Sequence, residues 1–350
     1  MILKPLYTPS VATSRILELD ALRGLAALSV VGYHYTTRYN DIYGHTSDFF
    51  YRLPAGRYGV LLFFMISGFV ILMSLQRTQR SLDFIVGRLA RLYPTYWVAI
   101  ALTFSAVALI GLPGREVSLK NALLNSLMIH RFWRIPDVDG VYWTLHVEFI
   151  FYVLMLGLFI LRLLPHIEKV LFIWLSLNAL ENHHLLINIP ERLESWFLPG
   201  YAHLFIMGIV FYRIRQQGPS VFRYGLLAGG LASQIALYPE WDKHLAIVLY
   251  MVIFFLINAG KLWAIAIPPL MALGTISYPL YLVHQNIGYI VIRDLEMRGL
   301  SPIFSIVAAF SVAIALAAVI TRFVEQPSLR WIKNAYRKRF PQQVRQAESS

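Results

Sequence analysis

Apolar residues recur along the chain in ten runs, near positions 16–36, 57–76, 94–112, 143–163, 167–181, 199–214, 224–238, 244–259, 272–292 and 302–323. Most have the roughly 17 to 25 residues that a helix needs to cross a bilayer, with the fifth to eighth the shortest. The pattern predicts an all-α fold: a polytopic transmembrane helical bundle of about ten spans forming one domain. With both termini in the cytoplasm, most of the 31 Lys and Arg fall in inner segments, as the positive-inside bias requires. Residues 36–57 and 111–142 then form outer loops, and Trp and Tyr gather near span ends as interfacial anchors. Between the second and third runs, Ser81 can act as an N-cap, and Pro94 is expected to end the helix that follows. That interfacial helix would bury Leu82, Phe84, Ile85, Leu89 and Leu92 while Arg88 and Arg91, three apart, share a face. The domain limits expected are a cytoplasmic segment 1–14, a membrane domain 15–327 and a basic cytoplasmic tail 328–350, a surface helix that frays toward Ser350. The first run lacks a small-residue cleavage site and reads as a retained span. No internal repeat or low-complexity tract is visible.

Composition sharpens this picture. The chain of 350 residues is 57% hydrophobic and only 14% charged, with a mean hydropathy of +0.57. A soluble domain carries about 25% charged residues, so membrane lipid is the expected surrounding. The absence of cysteine excludes disulfides, thiolate zinc sites and a cysteine nucleophile, and no metal site is expected. The net charge of +12 follows from loop bias, and no nucleic-acid partner is expected.

Against this apolar background the ionisable residues inside spans stand out, because each costs about 2.5 to 3.5 kcal/mol at a helix centre on insertion scales. Asp20, Arg23 and His34 interrupt the first run. Eleven residues, about three turns, separate Arg23 from His34 and place them on one face about 16 Å apart along the axis. The bland alternative is an Asp20–Arg23 pair at the inner interface, with His34 reaching outward. Glu148, one turn inside the start of the fourth run, lies at a depth similar to His34, so the two could meet. Its carboxylate would then fix the imidazole tautomer and leave the other nitrogen to take a proton. His146, off the Glu148 face, reads as simply exposed. His284, inside the ninth run, is read equally as a packing residue or a functional one, and Glu325 as a structural partner for a basic residue.

In order along the chain, these segments resemble the acyltransferase 3 family of bacterial membrane O-acyltransferases. The likeness is carried by Leu19-Asp20-Ala21-Leu22-Arg23-Gly24 with His34 at Arg-x10-His spacing, and by Phe63-Phe64-Met65-Ile66-Ser67-Gly68-Phe69. It continues through Arg88-Leu89-Ala90-Arg91-Leu92-Tyr93-Pro94, then Trp143-Thr144-Leu145 with Glu148 and Tyr152, and finally Tyr281-Leu282-Val283-His284 and Glu325-Gln326-Pro327. The resemblance implies a multi-pass enzyme of the bacterial inner (plasma) membrane. Such an enzyme moves an acetyl or other short acyl group from acyl-CoA, a co-substrate rather than a resident cofactor. The acceptor would be a hydroxyl of a cell-envelope glycan, a lipid-linked sugar or a related molecule, giving O-acetylation of a polysaccharide.

On this reading Arg88 and Arg91 grip the donor's phosphates, since the planar guanidinium fork suits phosphate, and Arg23 lines the route of the thioester. His34, oriented by Glu148, acts as general base, with acyl-histidine formation left open. Ser67 is either an oxyanion donor or a small-residue helix contact. Asp20, Trp143, Tyr152 and His284 are possible supporting residues. The rival classes are a lipid or sugar transporter or flippase, and a ligand sensor on a catalytically silent scaffold.

Overall fold

The computed structural model describes residues 16–46, 51–182 and 195–340, and these are helical without a single strand. The expected segment 1–14 and the end of the tail lie outside the described residues. Helix α1 (Leu17–Gly32) continues without a break into a π-helical turn, Tyr33–Arg38. There follow α2 (Gly59–Gln76), α3 (Ser81–Ile110), the short α4 (Leu119–Asn125), α5 (Trp143–Ile160) and α6 (Ile167–Asn182). Next come α7 (Ala202–Gln217), α8 (Val221–Leu237), α9 (Trp241–Asn258), α10 (Pro268–Met297) and α11 (Pro302–Ile320). A second π-helical turn, Thr321–Glu325, leads into the amphipathic α12 (Gln326–Arg339). A helix occupies each of the ten predicted positions. Five segments are both long and apolar enough to cross a membrane: Pro54–Gln76, Ser81–Ile110, Gly140–Ile160, Trp241–Asn258 and Pro302–Arg339.

The expected break before Pro94 does not occur, and α3 runs through it. An interior proline costs about 3 kcal/mol, since its missing N–H leaves the Ala90 carbonyl without its usual donor. Burial of Ala90, Leu92, Tyr96 and Ala99 on both sides of it holds the helix together. The cap also differs from expectation: Arg80 takes the N-cap position, and Asp83 Oδ2 accepts its backbone N–H at 3.3 Å.

Two helix crossings depend on glycine. A Cβ on Gly274 of α10 would lie 1.9 Å from the Asp20 carbonyl oxygen of α1, and one on Gly24 would lie 2.7 Å from the Leu270 oxygen. At the α2–α7 crossing, a Cβ on Gly68 would lie 2.2 Å from the Phe205 oxygen, and one on Gly208 would lie 2.0 Å from the Met65 oxygen. Only residues without a side chain let two helix backbones touch in this way. The first crossing sets α10 against the helix that carries Arg23 and His34. At the far end of the chain, α12 packs on the start of α3, where Tyr336 donates to Asp83 Oδ1 at 2.8 Å.

Candidate active site

Helices α1, α2, α3, α5 and α10 line an open cavity of about 100 Å³. On α2 its lining runs from Val60 to Ile71, roughly 16 Å of rise along the axis. One end is basic: Arg23, Arg88 and Arg91 all line it, with Glu148 the one carboxylate among the lining residues. The opposite end is formed by Phe63, Thr144 and Tyr281.

Glu148 belongs to the basic end and does not meet His34. Its Oε1 accepts hydrogen bonds from Ser67 Oγ at 2.9 Å and from the Tyr152 hydroxyl one turn along α5. Arg23 and Arg88 lie within electrostatic reach of the carboxylate. The Arg88 guanidinium also lies 5.8 Å from the Tyr152 ring centre and 5.6 Å from that of Phe84. Glu148 is therefore a counter-charge and anchor for the arginines, a correction to its expected role beside the imidazole. Equal depth on two helices does not fix the direction in which each side chain points. Ser67 has a single hydroxyl proton and commits it to Glu148, which removes the reading of Ser67 as an oxyanion donor. Its neighbour Gly68 makes the close helix contact instead. By contrast, Arg23 and Arg91 donate no hydrogen bond to any described residue, so their forks are open toward the cavity.

His34 finds its partner on α10. The Nδ1 atom of His34 lies 2.9 Å from the Val30 carbonyl oxygen and 3.1 Å from Nε2 of His284. Nδ1 of His284 faces two carbonyl oxygens, Tyr281 at 2.8 Å and Leu280 at 3.2 Å. Carbonyl oxygens only accept, so Nδ1 of His284 carries its proton and Nε2 holds the lone pair. That lone pair faces Nδ1 of His34, which donates, and Nε2 of His34 is left as a free base. The second histidine thus does what the carboxylate was expected to do. Tyr35 fixes the arrangement from behind, donating to the His284 carbonyl oxygen at 2.8 Å. It fits there because Gly288 has no side chain, a Cβ at that position falling 2.2 Å from the Tyr35 hydroxyl oxygen. His34 sits in the π-helical turn, a local widening found often at functional sites.

The pair lies just beyond the end of the cavity opposite the arginines. The His284 ring is centred 5.7 Å from that of Tyr281, which in turn stacks edge-on with Phe63 at 5.8 Å. Tyr281 therefore stands between the cavity and the imidazoles, its hydroxyl accepting from Thr144 Oγ1 at 3.0 Å.

Other expected residues fall elsewhere. Asp20 lies within electrostatic reach of Arg23. Trp143 packs on Tyr201 and Phe64, with ring centres 5.3 and 6.2 Å away, and is absent from the cavity wall. His146, expected to be exposed, is buried with its ring 4.6 Å from that of Phe132. Glu325 accepts from Thr321 at 3.4 Å and has Arg91 and Arg23 as its basic neighbours. Sequence reasoning missed Tyr278 and Tyr281, although both lie within the eight residues that end at His284 and, three apart, share one helix face.

No solved structure matches the chain. Two relatives from rhizobia do. One is protein 2 in picA locus of Rhizobium radiobacter, 37% identical over 108 residues, covering 28% of this chain and about half (51%) of the relative. The other, exopolysaccharide production protein ExoZ of Rhizobium meliloti, is 25% identical over 298 residues, or 80% of this chain and 92% of the relative. A family sequence model described as an acyltransferase domain matches residues 16–322, a region that takes in the arginine-lined cavity, Glu148 and both histidines. The chain belongs to the acyltransferase 3 family.

Proposed function

We propose that this protein transfers a short acyl group, acetyl in the simplest case, from the thioester of coenzyme A to a hydroxyl of a cell-envelope polysaccharide or its lipid-linked precursor. The observation that carries the reading is a cavity with open guanidinium forks at one end and a histidine with a free Nε2 just beyond the other. Guanidinium groups bind phosphate in a bidentate manner, so Arg88 and Arg91 hold the nucleotide on the cytoplasmic side. The pantetheine arm then runs past Arg23 toward Tyr281, presenting the thioester to the imidazole pair.

The acceptor hydroxyl gives its proton to Nε2 of His34 as its oxygen attacks the thioester carbonyl. The C–O ester bond forms, the C–S bond breaks, and the imidazolium returns the proton to the departing thiolate. Nδ1 of His34 keeps its own proton throughout, shared with His284 and Val30. General base action of this kind contributes about 10² to 10⁴ in rate. Family membership favours transfer over transport or sensing. The relative named for exopolysaccharide production supports a glycan acceptor. Mass spectrometry of envelope polysaccharide from cells with and without the gene tests the reading. An acyl ester present only with the gene is expected, and identical esterification in both would refute it.

A further inference from the structure

Helix α12 lies beyond the residues matched by the family model, yet it packs on the turn of α3 that leads to Arg88 and Arg91. Its contact is specific, since Tyr336 donates to Asp83 Oδ1 at 2.8 Å. Asp83 Oδ2 is taken by the Arg80 backbone, so the nearest carboxylate on α3 has both oxygens engaged. Lys333, three residues before Tyr336, is half-buried and has Arg88, Arg91 and Arg337 as its charged neighbours, with no carboxylate among them. Lys333 and Arg337 are four apart and share a face of α12.

Like charges gathered in a partly desolvated place repel; Glu148 and Glu325 offset Arg88 and Arg91, whereas Lys333 adds a charge with no carboxylate beside it. The surplus of positive charge at this rim suits an anionic ligand. The arrangement exceeds what a single phosphate needs, with two guanidiniums on α3 and an ammonium and a guanidinium on α12.

We propose that α12 is part of the donor site, with Lys333, assisted by Arg337, completing the cradle begun by Arg88 and Arg91 for the phosphates of a nucleotide-bearing thioester. The proposal rests on the coenzyme A reading above. It assigns the diphosphate and the separate 3′-phosphate of such a donor to one rim shared by two helices, and it gives the basic tail a binding role beyond loop charge.

The test uses the full-length purified protein and adenosine 3′,5′-bisphosphate, a probe that carries phosphates but neither pantetheine nor thioester. Binding of acetyl-CoA to the wild type is measured first, because its absence would overturn the donor reading and this proposal together. With binding present, Lys333→Ala is expected to raise the donor KM about tenfold with kcat unchanged, the pattern of lost uniform binding. The same change should weaken inhibition by the bisphosphate to a similar degree, whereas Lys333→Arg should stay close to wild type in both. Lys333→Glu should be weaker still. Tyr336→Phe, which loosens the clamp without removing a charge, should raise the donor KM by a smaller factor. Unchanged donor KM and unchanged bisphosphate inhibition in a folded, active Lys333→Glu protein would overturn the proposal while leaving the coenzyme A reading intact.

Discussion

A neutral imidazole has one donor and one acceptor, and its partners decide which nitrogen is which. In this protein the chain of carbonyl oxygens, His284 and His34 leaves Nε2 of His34 as the free base. His34→Ala should therefore abolish transfer while acyl-CoA binding, read by calorimetry, persists. Retained transfer would remove His34 from the chemistry. His284→Ala should lower kcat by about tenfold or more, short of the roughly 10² to 10⁴ lost with the base itself. His284→Gln, which restores an acceptor oxygen facing His34 Nδ1, should recover part of that loss. Equal rates in wild type and His284→Ala would show that His284 only packs. Replacing Arg88 or Arg91 by Lys keeps the charge but loses the fork, so the donor KM should rise with little change in kcat. Arg23 was legible at this scale because charge inside an apolar run is conspicuous, and Arg88 and Arg91 because their spacing of three puts them on one face of the interfacial helix. The partner of His34 was not, because sequence gives depth along a helix axis but not which neighbour each face meets.

Helices were the most legible part of the fold, since hydropathy alone located all ten runs. Where local chemistry and packing disagreed, packing prevailed: Pro94 predicts a helix end, yet the buried residues around it carry α3 through. The π-helical turn at His34 leaves no mark in residue type, and neither do the crossings at Gly24, Gly68, Gly208 and Gly274 until the partner helices are known. Those crossings predict a stability contrast. Gly274→Ala puts a methyl carbon 1.9 Å from a backbone oxygen and should cost about 1 to 3 kcal/mol or more through overpacking. Gly87→Ala in α3 meets nothing within 4 Å and should be neutral or stabilising by up to about 1 kcal/mol. Thermal unfolding in detergent checks both, and equal midpoints for the two variants would contradict the crossing account.

For the whole molecule, the proposal joins two sides of a membrane: arginines facing the cytoplasm and histidines near the outer surface. The natural chain has no cysteine, so single cysteines report orientation against a clean background. Lys338→Cys should react with an impermeant maleimide only when the inner face is accessible, and Arg52→Cys should react from outside. The reverse pattern would invert the topology and place the donor arginines on the wrong side for cytoplasmic coenzyme A. The most direct test of the central claim is release of free coenzyme A from acetyl-CoA by purified protein in liposomes, with and without added envelope glycan. The account predicts release that requires the glycan, equals the acyl ester gained by it and vanishes in His34→Ala. Release by His34→Ala at the wild-type rate, or none from wild type with any envelope glycan, would contradict it.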